Sequence, residues 1–136
     1  MELKDLVGRH FLSGVDYEKE FNDDDATVMN FILDGTTYTA GTFGRADDGY
    51  RSTMRDIQVS RVTIKNTFRP IEVYCWMEDD ILNMKCAANG KLILSVGTDY
   101  SDNYYPSFVA YFRPEDIPIE SSVITGRMLR PYHESR

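Results

Sequence analysis

The run Val28-Met29-Asn30-Phe31-Ile32-Leu33 and the run Thr36-Thr37-Tyr38-Thr39-Ala40-Gly41-Thr42 flank the pair Asp34-Gly35. An Asp-Gly pair between apolar runs signals a hairpin, because a type I′ turn needs two successive residues at positive φ. A two-residue turn sets Phe31 opposite Tyr38 and Met29 opposite Ala40, which gives one apolar face.

The same two-residue period recurs on either side. Arg9–Val15 reads as extended. In Ile71–Met77, Ile71, Val73, Cys75 and Met77 point one way and Glu72, Tyr74, Trp76 and Glu78 the other. The aromatic pair Tyr74 and Trp76 implies that this second face is covered as well. Ile81–Cys86 and Lys91–Gly97 flank Asn89-Gly90. A two-residue turn there pairs Cys86 with Ile93. A three-residue loop with Gly90 left-handed pairs Cys86 with Leu92, Met84 with Leu94 and Leu82 with Val96. The second register puts six apolar side chains on one face and is the one expected. Ser107–Arg113 forms a further strand with Phe108, Ala110 and Phe112 on one side, and Pro114 ends it.

Three stretches are less regular. In Glu2–Gly8, the spacing of Leu3, Leu6 and Val7 predicts one or two helical turns. In Met54–Lys65, Ile57 and Val59 share one phase and Val62 and Ile64 the other, so a bulge or a corner is expected near Ser60-Arg61. Ile117–Ile119 reads as a short strand, while Gly126 and Pro131 argue against a long element beyond it. Six to eight strands joined by short turns define an all-β chain, an antiparallel sandwich or partly closed barrel with a short N-terminal helical turn; α+β, with a helix on one sheet, is the fallback. Many contacts in such a fold are non-local, so slow folding is expected.

Size and composition set limits. The chain has 136 residues, 42% of them hydrophobic and 27% charged. That suits one domain over 1–136, with 120–136 as a loosely packed tail. Two cysteines exclude a disulfide scaffold. No apolar run approaches the ~18 residues of a membrane span. The start, MELKDLVGRH, carries charges where a signal peptide needs an apolar stretch.

The net charge of −7 falls unevenly: −7 over residues 1–50, +1 over 51–100 and −1 over 101–136. A negative field repels phosphate backbones, so direct nucleic-acid binding is disfavoured. Arg51, Arg55, Arg61, Lys65 and Arg69 form a local basic stretch, read as the solvent face of a strand. Asn22-Asp23-Asp24-Asp25 reads as a solvated acidic loop.

Two motifs stand out: Asp47-Asp48-Gly49-Tyr50-Arg51-Ser52 and Gly97-Thr98-Asp99-Tyr100-Ser101-Asp102-Asn103-Tyr104-Tyr105-Pro106. With Leu3-Lys4-Asp5-Leu6-Val7-Gly8 ahead of them, they resemble a family of small, functionally uncharacterised proteins of phages and related mobile elements. The likeness runs in the same order over most of residues 3–119. It implies no activity and no site residues. It implies a context, the cytoplasm of an infected bacterium, where small phage proteins often bind host proteins, host-defence factors among them.

Read from the residues themselves, Gly97–Phe112 is the richest segment, with Tyr100, Tyr104, Tyr105, Phe108, Tyr111 and Phe112 interleaved by Asp99, Asp102 and Asn103. Loop tyrosines offer stiff, amphipathic contact surface. The competing reading is that these rings cap the core and bond to nearby backbone. Asp99, Asp102 and Asn103 lack the spacing and closing Glu of an EF-hand, so no metal site is implied. In the other motif, Asp47, Asp48, Tyr50 and Arg51 combine turn chemistry with a guanidinium that either forks to a ligand's carboxylate or phosphate or pairs with Asp47 or Asp48.

Catalysis finds little support. His10 and His133 have no motif around them, and Cys75 and Cys86 lie on core-facing strand positions. GxSxG, P-loop and GxGxxG patterns are absent, and no cofactor is implied. The expected function is therefore a non-enzymatic binding protein that occludes the surface of a host protein. Its expected contact residues are Asp47, Asp48, Tyr50, Arg51, Asp99, Tyr100, Asp102, Tyr104 and Tyr105. One alternative is a small-ligand domain holding a nucleotide or other anion through Arg51 with a stacked tyrosine. Another is an acidic mimic of nucleic acid. A homo-oligomer, in which a neighbour's C-terminal tail covers a strand edge, fits the same pattern.

Overall fold

The computed structural model describes residues 1–19, 27–41, 57–101 and 107–118. Among these residues eight strands run β1 Gly8–Lys19, β2 Thr27–Leu33, β3 Thr36–Gly41, β4 Ile57–Val59, β5 Thr67–Glu78, β6 Asp80–Cys86, β7 Leu92–Asp99 and β8 Ser107–Phe112. They form a single antiparallel sheet in the order β4-β3-β2-β1-β5-β6-β7-β8. The all-β expectation holds, with one open, curled sheet rather than two stacked ones. The curl brings β8 near β1 and β2, and β7 near β3. The only helical elements among the described residues are two 3-10 turns, Leu3–Leu6 and Pro114–Asp116.

The Asp34-Gly35 hairpin forms as its chemistry requires. Asp34 has φ +53 and Gly35 φ +82, both positive as in a type I′ turn. Phe31 pairs with Tyr38 and Met29 with Ala40, and the Phe31 and Tyr38 rings stack 5.7 Å apart. The inner face of the sheet carries the core: Leu12, Val15, Met29, Phe31, Leu33, Val73, Leu82, Met84, Leu94, Val96, Ala110 and Phe112 are all essentially inaccessible. Leu3 and Leu6 of the N-terminal turn join this core, and the Met1 carbonyl accepts from Ile57 N–H at 2.9 Å. Residues 1–6 therefore bridge from the middle of the sheet to its β4 edge.

The β6–β7 register matches expectation away from the loop, with Met84 opposite Leu94 and Leu82 opposite Val96. Near the loop it slips: Leu92 faces Lys85, not Cys86, and Cys86 instead exchanges hydrogen bonds with the Lys91 carbonyl and Gly90 N–H. The physical reason is a bulge that lets Ile93 and Leu94 both turn inward, and both are fully buried.

In Met54–Lys65 only Ile57–Val59 is strand, and Met54–Asp56 lie outside the described residues. The phase change at Ser60-Arg61 marks the chain leaving the sheet. Residues 60–66 cross the outer face of β3, β2 and β1 to reach β5. Along this path the Ser60 and Thr39 hydroxyls bond at 2.8 Å, and Asp16 accepts from Lys65 N–H, Asn66 N–H and the Asn66 side chain. Val15 N–H donates to the Asn66 carbonyl. Gly14 makes the close crossing feasible: a β-carbon there would lie 3.0 Å from Ile32 Cδ1 and 3.3 Å from the Asn66 oxygen. The exposed Arg61 and Lys65 thus sit on a crossover, not along a strand face.

The short strand expected at Ile117–Ile119 does not start at Ile117. Pro114 opens a 3-10 turn, closed by Asp116 N–H to the Arg113 carbonyl and Ile117 N–H to the Pro114 carbonyl. Ile117 then inserts into the core. Ile119 and the tail 120–136 lie outside the described residues.

Candidate functional site

Of the nine expected contact residues, Asp47, Asp48, Tyr50, Arg51, Asp102, Tyr104 and Tyr105 lie outside the described residues. Asp99 and Tyr100 are described. Asp99 is the last residue of β7, opposite Ser107, and its carboxylate accepts from Ser101 N–H at 2.8 Å. This side-chain-to-backbone bond turns the chain off the sheet. Tyr100 stands there 40% exposed. Gly97, at the head of the motif, has a structural reason to be glycine: a β-carbon would collide with the Asp80 carbonyl oxygen and lie 2.6 Å from Ile81 Cα.

The anchors of the two motif segments lie at opposite ends of the sheet. The segment after Asp99 leaves the C-terminal end of β7, and that before Ile57 leaves the C-terminal end of β3, which runs antiparallel to β7.

A second constellation lies on the outer face of β1, β5 and β6. Alternation along β1 puts Arg9 and Phe11 outward, with Val7 in the same phase just ahead of the strand; Glu72, Tyr74 and Trp76 do likewise on β5, and Lys85 on β6. The register sets Phe11 beside Glu72, and Arg9, Tyr74 and Lys85 in one cross-strand row. Arg9 Nε sits 2.6 Å from the Glu72 carboxylate, and its guanidinium lies 5.7 Å from the centre of the Tyr74 ring. Lys85 lies 5.8 Å from the centre of the Trp76 ring. Among the described residues, the cover over Tyr74 and Trp76 is thus made of two cationic side chains. Val7 and Phe11 remain 50% exposed and Tyr74 37%.

On the opposite phase of β1, His10 is held on both ring nitrogens. Nδ1 meets Asp34 Oδ2 at 2.6 Å and Nε2 meets the Leu6 carbonyl at 2.9 Å. Asp34 Oδ1 also accepts from Phe11 N–H. The hydrogen bond from His10, then that from Phe11, holds the Asp34 carboxyl below the ordinary aspartate range. A His–Asp pair suggests a general base, but here the nitrogen distal to the carboxylate is spent on a carbonyl that only accepts. The pair is a clamp joining the N-terminal turn, β1 and the β2–β3 turn. Sequence reading missed it because the partners are 24 positions apart.

Cys75 and Cys86 are both free and buried, as their strand phase required. Burial, with the Asp34 charge adding to it, pushes the Cys75 thiol up to about 12, so it is no nucleophile at neutral pH. Among the described residues no group of three or more His, Cys, Asp or Glu gathers in metal-binding geometry, and no helix is long and apolar enough to cross a membrane. What the fold and site define is an open eight-stranded antiparallel sheet with an aromatic–cationic patch on its outer face. Compared with family models, curated proteins and solved structures, the chain matches none.

Proposed function

We propose that this chain is a non-enzymatic binding protein of a phage or related mobile element, acting in the bacterial cytoplasm by covering part of a host protein's surface. The observation that supports it is Tyr100, exposed beside Asp99 where β7 leaves the sheet and the aromatic–acidic segment begins. A tyrosine held out by a turn loses little entropy on docking. Asp102, Tyr104 and Tyr105 continue that contact surface, and Asp47, Asp48, Tyr50 and Arg51 supply a second one.

The test is affinity capture from a bacterial host lysate with the wild-type chain and the Tyr104→Ala/Tyr105→Ala variant. The reading expects a partner that the variant fails to retain while its melting temperature stays near wild type. A large drop in melting temperature instead assigns these rings to capping the core and removes the proposal.

A further inference from the structure

The loop between β6 and β7 carries the pair Asn89-Gly90, and both residues are exposed. In sequence such a pair marks a turn. It is also the dipeptide at which an asparagine most readily loses its side-chain nitrogen as ammonia, because a glycine without a β-carbon lets its backbone nitrogen reach the preceding side chain.

The fold gives this side chain a long-range bond. Asn89 Nδ2 donates to the Asp116 carbonyl at 3.0 Å, and Asn89 Oδ1 accepts from Lys91 N–H at 3.0 Å. The first bond ties the β6–β7 loop to the 3-10 turn Pro114–Asp116. That turn seats Ile117 in the core, and Lys91 Nζ lies 4.0 Å from the Asp116 carboxylate. The folded chain also restrains the reaction. Gly90 N–H, whose nitrogen must attack, donates to the Cys86 carbonyl at 2.7 Å. Both ends of the Asn89 amide are bonded, so its carbon is kept from swinging onto that nitrogen. Attack requires the loop to open locally and the bond to Asp116 to break first.

We propose that Asn89 is a deamidation site whose conversion unlatches the Pro114–Asp116 turn from the β6–β7 loop. The Gly90 nitrogen bonds to the Asn89 side-chain carbon and closes a succinimide ring. Nδ2 leaves as ammonia, carrying the proton that the Gly90 nitrogen gives up. Water then opens the ring at either carbonyl, giving aspartate or isoaspartate, and water is the only co-reactant. Either product has lost the amide donor and gained a carboxylate. A carboxylate only accepts, and so does the Asp116 carbonyl, so the tie cannot re-form. The site lies at the start of β7, the end of the strand away from Asp99, and is separate from the surface proposed above.

The experiment incubates the full chain at mildly alkaline pH, folded and in guanidinium chloride, and follows residue 89 by peptide mass mapping. Asn89 should convert in both states, about tenfold more slowly in the folded one. Asn89→Asp, the aspartate product made directly, should speed hydrogen exchange at the Asp116 and Ile117 amides by about twofold to tenfold, the weight of one hydrogen bond. Exchange across the β5–β6 pairing should stay as in wild type. If Asn89→Asp does not fold, the converted fraction of aged wild-type chain, separated by ion exchange, takes its place. No conversion of the folded chain over about a hundred half-lives of the unfolded one overturns the site. Equal rates in the two states overturn the restraint by the folded contacts. Unchanged exchange at Asp116 and Ile117 in the folded product overturns the unlatching.

Discussion

The two halves of the outer sheet face are built on opposite rules. Over β1–β3 the outward residues Gly14, Asp16, Asn30 and Thr39 are small or polar, with the apolar Ile32 between them, and each of the four is met by the crossover or by a neighbour. Over β1, β5 and β6 they include the half-exposed Val7 and Phe11, the aromatic Tyr74 and Trp76 and the charged Arg9, Lys85, Glu72 and Glu78, with the buried Asn83 between them. Small size and hydrogen-bonding capacity let a peptide segment lie flat on strands and satisfy its own backbone. Bulky rings held under cations prevent that and present contact area instead. Among the described residues, one side chemistry holds a chain segment flat on the strands, and the other carries large side chains that no such segment crosses.

The largest effect that sharpens this contrast belongs to Asp16. Its carboxylate accepts two backbone N–H groups and the Asn66 amide, and Asn66 is 1% exposed. Asp16→Ala strands those donors and should cost about 3 kcal/mol in chemical denaturation, a charged acceptor being worth about 1.5–3 kcal/mol. A change below about 0.5 kcal/mol, the level of an ordinary surface site, breaks the idea that the crossover is tied down there.

A middle effect sits at the end of the open half. Asn in place of Asp34 keeps the turn geometry but removes the charge that His10 and Phe11 N–H stabilise. Asp34 is half exposed, so Asp34→Asn should cost about 0.5–1 kcal/mol at neutral pH. Because the folded carboxyl is held below its unfolded value, its stabilising contribution is full above the unfolded value of ~3.9 and is lost as pH falls through the folded one. The wild-type and Asp34→Asn midpoints should therefore converge on acidification. A gap that stays constant down to acid pH assigns the cost to something other than ionisation.

The smallest effects belong to the open half itself. Phe11→Ala should move stability by no more than about 0.5 kcal/mol, since Phe11 is half exposed, and Arg9→Ala should leave the melting temperature near wild type, since its pair with Glu72 is solvated. A loss of about 2 kcal/mol or more for Phe11→Ala, on the scale of a buried large-to-small change, shows that this side chain serves the fold.

Much of the fold was legible because it rests on local rules. Asp34-Gly35 dictates its turn, and alternation in Ile71–Met77 and Ser107–Arg113 names the residues that become core. The register at Cys86–Leu92 was misjudged because the bulge that buries both Ile93 and Leu94 is chosen by the space in the core, not by the loop. What covers Tyr74 and Trp76 is not legible in the sequence for a related reason. Alternation shows that two rings share a face, but Arg9 lies 65 positions from Tyr74, and only the β1–β5 pairing brings them together.

The sequence by itself determined the all-β class, the Asp34-Gly35 turn and the inward or outward phase of most strands, because these follow from backbone sterics and a two-residue period that act within a few positions. Tertiary structure alone decided that β1 lies between β2 and β5, that 60–66 cross above Gly14, and that the rings and cations of β1, β5 and β6 meet on one face. Those outcomes depend on which strands pair across the chain, and that is set by how the apolar faces close on one another.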